Sequence, residues 1–342
     1  MSFKFLTQLP TPEEIKNEYP LSPQLTALRM ERDKMVKNII SGEEDKFLVI
    51  IGPCSADNED SVCDYVSRLT NIQEDVKDKI VLVPRIYTNK PRTNGTGYKG
   101  IASQPDPKQK ENMVEGLIAM RKMHIRAIAE SGLTCADEML YPDNWGYVED
   151  LLAYVAIGAR SVEDQQHRLT VSGFDVASGM KNPTSGDFSV TLNSVYAAQQ
   201  SHHFAHRGYE VETSGNPYAH VILRGATSKH GNNVANYHYE DLMRLHEKYE
   251  KMDVINPATI VDTNHSNSGK KYKEQVRIAK EVLHSRRHSK DLHKLVKGLM
   301  IESYIEEGCQ SIGEGIYGKS ITDPCLGWED TKRLIYDIAE GC

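Results

Sequence analysis

The stretch "FLVIIGPCSADNED", Phe47 to Asp60, is an apolar and largely β-branched run that stops at Gly52-Pro53 and delivers Cys54 at its end. A cysteine there could be half of a disulfide, a nucleophile, a metal ligand or a small core residue. The pattern recurs down the chain. Further apolar runs end in Arg85, Glu138, Arg160, Lys181, Arg224, His265 and Glu302, with Lys90 and Arg92 just past the second and Asp323 past the last. Any one of these taken alone reads as a solvated cap. Eight runs out of eight do not. They divide by chemistry. Arg85, Lys90, Arg160, Lys181 and Arg224 can converge on a small polyanion, because guanidinium forks match phosphate and carboxylate bidentately. Cys54, His265, Glu302 and Asp323 offer a thiolate, an imidazole and two carboxylates, a set suited to Mn²⁺, Fe²⁺, Co²⁺ or Zn²⁺ better than to Mg²⁺ or Ca²⁺. As a nucleophile Cys54 would need His265 as its base, and the surplus carboxylates count against that reading. The polar stretch "DTNHSNSGK" makes His265 a loop residue rather than a core histidine.

Groups so far apart in sequence meet only if the runs are strands of one sheet whose C-terminal ends share a rim. The runs span 47–54, 79–87, 133–140, 154–160, 175–182, 220–225, 258–265 and 298–303, and longer helical stretches such as 112–132 and 269–287 lie between them. Short continuous apolar strands alternating with helices indicate a parallel sheet covered on both faces. Eight such units suit a closed (β/α)₈ TIM barrel, an α/β fold whose active sites sit at that rim. An open doubly wound sheet is the alternative, but no glycine-rich phosphate turn follows the first strand. Residues 1–45 read as an N-terminal arm that packs on the main body or on another subunit, a place for oligomer or regulatory contacts. "TPEE" at Thr11–Glu14 is a capping box, and a second helix starts at Ser22. The barrel takes residues 46–342, with two alternating strand-like runs near 202–214 that predict an inserted β-hairpin.

Composition narrows the setting. The chain has 342 residues, 26% of them charged and 39% hydrophobic, enough for a large core in one domain or two smaller ones. A net charge of −7 argues against nucleic acid or an anionic membrane as a partner, so anion binding needs a local concentration of cations. The start, "MSFKFLTQLPTPEE", lacks the apolar core of a signal peptide, which predicts a cytoplasmic protein. The six cysteines show no framework spacing, and cytosolic thiols stay reduced, which removes the disulfide reading of Cys54.

"IGPCS", "KPRT", "AIGAR", "GMKN", "ILRG", "VDTNHSN" and "YGKSITDPCLGWEDT", in that order, resemble the microbial type I 3-deoxy-D-arabino-heptulosonate 7-phosphate (DAHP) synthases. The resemblance implies a TIM-barrel enzyme that condenses phosphoenolpyruvate with D-erythrose 4-phosphate, the first step of the shikimate pathway. Motif by motif, it implies metal ligands at Cys54, His265, Glu302 and Asp323. It implies phosphoenolpyruvate contacts at Arg85, Lys90, Glu138 (through its backbone), Arg160, Lys181 and Arg224, and an aldose-phosphate site at Arg92 and Thr93. Lys90, between the two substrates, is the expected proton donor to the new alkoxide, with a metal-bound water as its rival. The resemblance further implies a homodimer or homotetramer inhibited by phenylalanine, tyrosine or tryptophan. Some stretches depart from the family pattern. "ADN" follows "GPCS" where a histidine is common, Tyr98 replaces a usual tryptophan, and the loops after Thr93 and Gly225 are longer. Asp175 stands where a serine or glycine often helps to sort inhibitors, which predicts a carboxylate beside the effector pocket. Two other readings compete: a neighbouring phosphoenolpyruvate-dependent sugar-acid synthase or metal aldolase, and a non-catalytic barrel. A non-catalytic barrel should have lost a metal ligand or the lysine, and none is missing.

Overall fold

A computed structural model of the chain describes residues 2–92 and 94–342. Thr11 caps the first helix, α1 (Pro12–Glu18), in a complete capping box with Glu14, and Ser22 caps α2 (Pro23–Ser41). Then β1 (Phe47–Gly52), α3 (Glu59–Val76), β2 (Ile80–Pro84), α4 (Met113–Ser131) and β3 (Cys135–Glu138) follow. A single 3₁₀ segment, Pro142–Tyr147, connects β3 to β4 (Leu152–Ile157). The chain continues through α5 (Gln165–Ser172), β5 (Ala177–Lys181), α6 (Phe188–Gln199), β6 (Ala219–Leu223), α7 (Tyr239–Tyr249) and β7 (Thr259–Asp262). It ends with α8 (Glu274–His288), α9 (Lys290–Leu295), β8 (Val296–Glu302) and α10 (Trp328–Gly341).

The eight strands are parallel and adjacent in the order β2-β1-β8-β7-β6-β5-β4-β3. The ends of that row, β2 and β3, meet through one parallel bridge, Arg85 to Ala136, with Ile86 N–H donating to Ala136 O at 2.9 Å. This is a nearly closed TIM-like barrel, as the strand pattern predicts. The expected hairpin is present as His203–His206 paired antiparallel with Tyr209–Glu212.

Period-two alternation divides each strand between two apolar environments. Leu48 and Ile50 of β1 point into the barrel with Val81, Val83, Tyr154, Ile222, Ile260 and Met300. Phe47, Val49 and Ile51 point outward to the helices. The arm completes the interior. Val36, Ile39 and Ile40 of α2 join the inner cluster, Arg29 Nε donates to Leu152 O at 3.2 Å, and Arg32 donates to Leu82 O at 2.7 Å. Thus α2 stoppers the N-terminal mouth and leaves the opposite rim open.

At that closed end lies Asp175, the residue expected beside an effector pocket. Its carboxylate is 91% exposed and pairs with Lys37 of α2 at 2.7 Å. A residue just before β5 lies at the bottom of the barrel, where the α2 lysine captures it.

Candidate active site

The open rim holds a cleft of about 730 Å³ lined by charged side chains from successive strands. Strand position accounts for most of them. Arg85 follows β2, Glu138 and Lys181 are the last residues of β3 and β5, Arg224 follows β6, and Glu302 ends β8. Gly52 lets β1 and β2 close here, since a Cβ at that position would meet Arg85 O at 2.3 Å.

Cys54, Glu302 and Asp323 place one donor atom each within 4.8 Å of one another. Cys54 Sγ lies 3.4 Å from Asp323 Oδ2, and Lys90 Nζ reaches both, at 2.7 Å and 3.3 Å. Glu302 is held from two sides: Arg85 NH2 donates to Oε1 at 2.7 Å and Asn264 Nδ2 to Oε2 at 2.5 Å. The fourth expected ligand is close by. His265 Nε2 lies 3.8 Å from Glu302 Oε1, outside the tight triad. Its Nδ1 sits 2.8 Å from Asp262 Oδ2, although neither atom has a hydrogen-bond partner. His265 and Lys270 both take the left-handed backbone conformation, φ 50° and 62°, in a loop closed by Lys270 N–H donating to His265 O at 2.9 Å. Non-glycine residues held in that region mark a loop shaped for function rather than for ease of folding.

The electrostatics follow from burial and neighbours. Burial, with Glu302 nearby, pushes the Cys54 thiol up to about 11. Burial works against the Lys90 ammonium, yet Cys54, Asp323 and Glu302 together raise its pKa above the ordinary value. Asp323, against its own burial, is held well below the usual carboxylate range by Lys90, His265 and Lys270. The thiol is the odd member: it needs a strong local positive charge to act as thiolate.

The second half of the cleft collects the cations. Lys181 pairs with Glu138 at 2.9 Å in a buried contact, so Glu138 offers its carboxylate to the lysine. Its N–H already donates to Asp137 Oδ1 at 2.7 Å, and Asp137 also takes Thr88 N–H at 2.9 Å. Arg160 lines the cleft and is exposed. Arg85 NH1 and Arg224 NH1 are buried with no hydrogen-bond partner. Orphaned buried donors are costly, and these two belong to residues that line the cleft. Arg92 lines the mouth, with Nε donating to Tyr98 O at 2.7 Å. Thr93 lies outside the described residues. Of the expected site residues, then, every described one lines the cleft except Glu302, which reaches it through Arg85.

The sequence reading missed Asp262, Asn264 and Lys270. The first two act through His265 and Glu302, and the polar run "DTNHSN" was the signal for them. Lys270 falls within the predicted helix 269–287, whereas α8 starts only at Glu274 and leaves Lys270 in the cleft wall.

A parallel barrel whose open rim groups a thiol and two carboxylates beside a cation-lined cleft has the make-up of an enzyme site for small anionic substrates. The comparisons narrow it. The DAHP synthetase I family matches residues 18–335. A phospho-2-dehydro-3-deoxyheptonate aldolase of Haemophilus influenzae is 35% identical over 342 aligned positions, covering 97% of this chain and 91% of that protein. The Tyr-sensitive and Trp-sensitive enzymes of Escherichia coli K12 are 36% and 33% identical, covering 96% and 98% of this chain and 92% and 95% of theirs. A solved phospho-2-dehydro-3-deoxyheptonate aldolase of Francisella tularensis superposes with a TM-score of 0.92 at 31% identity, over 99% of this chain and 98% of that one.

The chain belongs to the DAHP synthetase I family. Its activity is that of the family, condensation of phosphoenolpyruvate with D-erythrose 4-phosphate and water to give DAHP and phosphate, the first step of aromatic biosynthesis.

Proposed function

We propose that the cleft carries out this condensation with the residues already collected, each in a defined role. Arg85, Arg160, Lys181 and Arg224 hold the phosphate and carboxylate of phosphoenolpyruvate. The orphaned NH1 groups of Arg85 and Arg224 carry this reading, because a bound anion supplies the partner each lacks. Arg92, at the mouth, holds the aldose phosphate, and Thr93 is assigned to the same phosphate by the motif alone.

Cys54, His265, Glu302 and Asp323 hold a divalent ion, and the donor set fits one. A soft sulfur and two carboxylate oxygens already lie within 4.8 Å, with the imidazole at its edge. Mn²⁺, Fe²⁺, Co²⁺ and Zn²⁺ all suit it. When bound, such an ion polarises the aldehyde oxygen as a Lewis acid. Carbon 3 of phosphoenolpyruvate attacks the aldehyde carbon, forming the new C–C bond. Lys90, at the junction of the two substrates, gives the alkoxide its proton. Water adds to the cationic enol carbon, and the C–O bond to phosphate breaks with the electrons leaving on phosphate. The cation cluster offsets substrate charge before reaction and needs no reorganisation during it.

Regulation belongs to the same reading. Relatives are named Tyr-sensitive and Trp-sensitive, and we extend aromatic feedback to this chain. A cavity of about 370 Å³ under the hairpin, walled by stacked Trp145 and Phe174 with Phe204 and Arg207, suits such an effector. The reading includes a cytoplasmic homodimer or homotetramer. Among the described residues no helix is long and apolar enough to cross a membrane.

The test is substrate-dependent phosphate release from metal-stripped protein as each ion is added back. Release that requires both substrates and a metal upholds the assignment; release from phosphoenolpyruvate alone, or with other aldoses instead, contradicts it.

A further inference from the structure

A second cavity, of about 360 Å³, opens beside the catalytic cleft and shares none of its lining residues. One wall is the turn after β1, with Asp57, Asn58 and Ser61. The other is the loop from Gln310 to Ile321. That loop is locked on itself. The Gln310 amide donates to Ile316 O and Lys319 O, both at 2.8 Å, and accepts from Ile316 N–H at 2.9 Å, while Ser311 N–H donates to Glu314 at 2.9 Å. The wall is therefore preformed.

Three features of the cavity need a partner. Asp57 Oδ1 is buried without a hydrogen-bond partner, and no side chain among the described residues pairs with the carboxylate. Ile312, Ile316 and Tyr317 present apolar surface, 43%, 44% and 52% exposed. Lys108 and Lys319 border the cavity without an ion-pair partner among the described residues. A single small molecule satisfies all three: an ammonium for Asp57, an apolar body for the isoleucines, an anionic group for the lysines. Inorganic phosphate lacks the cation, and a simple amine leaves the lysines unused.

We infer that this cavity is an accessory binding site for a zwitterionic α-amino acid with an apolar side chain. The site reports to the metal ligands. Ser55 Oγ, next to Cys54, lies 2.9 Å from Thr322 Oγ1, and Ser320 Oγ donates to Asp323 O at 2.8 Å. The two cavity walls are thus fastened to each other within one residue of Cys54 and of Asp323. Tyr98 and Tyr304 face Asp57 from the adjoining elements, with Lys108, Lys319 and Asp106 around the cavity. Burial pushes the Asp57 carboxyl up to about 7, so an ammonium binds better as pH rises through that value.

The inference is independent of effector binding under the hairpin, and the experiment separates the two. The full chain is titrated calorimetrically with L-leucine and L-phenylalanine at pH 6 and pH 8, alongside N-acetyl-leucine, which lacks the ammonium. Phe204→Glu removes an aromatic wall of the hairpin cavity and puts a charge there; Asp57→Asn and Lys108→Met/Lys319→Met strip this one. Binding that survives Phe204→Glu, strengthens with pH, excludes N-acetyl-leucine and weakens about tenfold or more in both other variants upholds the site. No binding of either amino acid at millimolar concentration overturns it. So does binding that Asp57→Asn leaves unchanged, whether or not Phe204→Glu removes it.

Discussion

Arg224→Met is the most informative single change, because the structure predicts opposite effects on stability and on binding. The guanidinium is largely buried, its NH1 has no partner, and burial pulls its pKa below the ordinary arginine value. A free protein carrying that orphan loses about 1–3 kcal/mol to desolvation. Methionine keeps much of the aliphatic volume and removes the orphan. The backbone bond from Arg224 N–H to Asn182 Oδ1, at 2.8 Å, is untouched. Thermal stability without substrate should therefore hold or rise. Binding goes the other way. Loss of one charge-assisted contact to phosphoenolpyruvate costs about 1.5–3 kcal/mol, roughly 10- to 150-fold in affinity. Steady-state kinetics with each substrate varied in turn, beside melting curves of the free protein, reads both. A lower melting temperature with unchanged phosphoenolpyruvate KM would refute the reasoning, and an effect confined to erythrose 4-phosphate would mean the two anion sites are reversed.

Four further outcomes are expected. Cys54→Ser should keep the fold but lose most metal affinity, measured by metal analysis after dialysis, because a hydroxyl is a far poorer ligand of the same size; normal turnover at limiting metal would count against the ligand role. Asp57 is a carboxyl raised by burial, so the folded state is penalised where it must ionise, from about pH 4 upward and fully above about 7. Asp57→Asn should therefore raise the melting temperature more at pH 8 than at pH 4, and a shift equal at both would dismiss the burial argument. Deleting residues 2–45 should abolish folding, since it removes Val36, Ile39 and Ile40 from the barrel interior; deleting residues 2–10 should leave circular dichroism and activity intact. Asp175→Ala should alter inhibition little, as its carboxylate faces Lys37 rather than a cavity, and a large change in amino acid sensitivity would reopen its role.

The barrel was legible because its strands are buried on both faces and read as short apolar runs, each ending where the chain turns polar. A strand's last residue is fixed by the end of its ladder, so Lys181 and Glu302 could be placed on the rim from spacing alone. Asp323 could not, since it lies 21 residues beyond Glu302 on a loop whose path no periodicity encodes, and its chemistry rather than its spacing put it in the ligand set. Lys270 escaped because its left-handed backbone belongs to a tight loop that resembles a helix start in composition. Asp175 shows the converse limit. Its position before β5 was readable, but the direction of its side chain depends on Lys37, 138 positions away in sequence. Function-bearing groups at strand ends are encoded locally; what they lean on is set by tertiary contacts.

The central claim is that Cys54, His265, Glu302 and Asp323 hold a metal beside a cluster of cations that holds phosphoenolpyruvate. Anomalous diffraction from crystals grown with Mn²⁺ and phosphoenolpyruvate tests it directly. The account predicts one strong anomalous peak bonded to Cys54 Sγ, His265 Nε2 and both carboxylates, with the substrate phosphate and carboxylate filling the vacant positions at Arg85 NH1 and Arg224 NH1. A manganese peak elsewhere, or phosphoenolpyruvate bound away from both arginines, would contradict it.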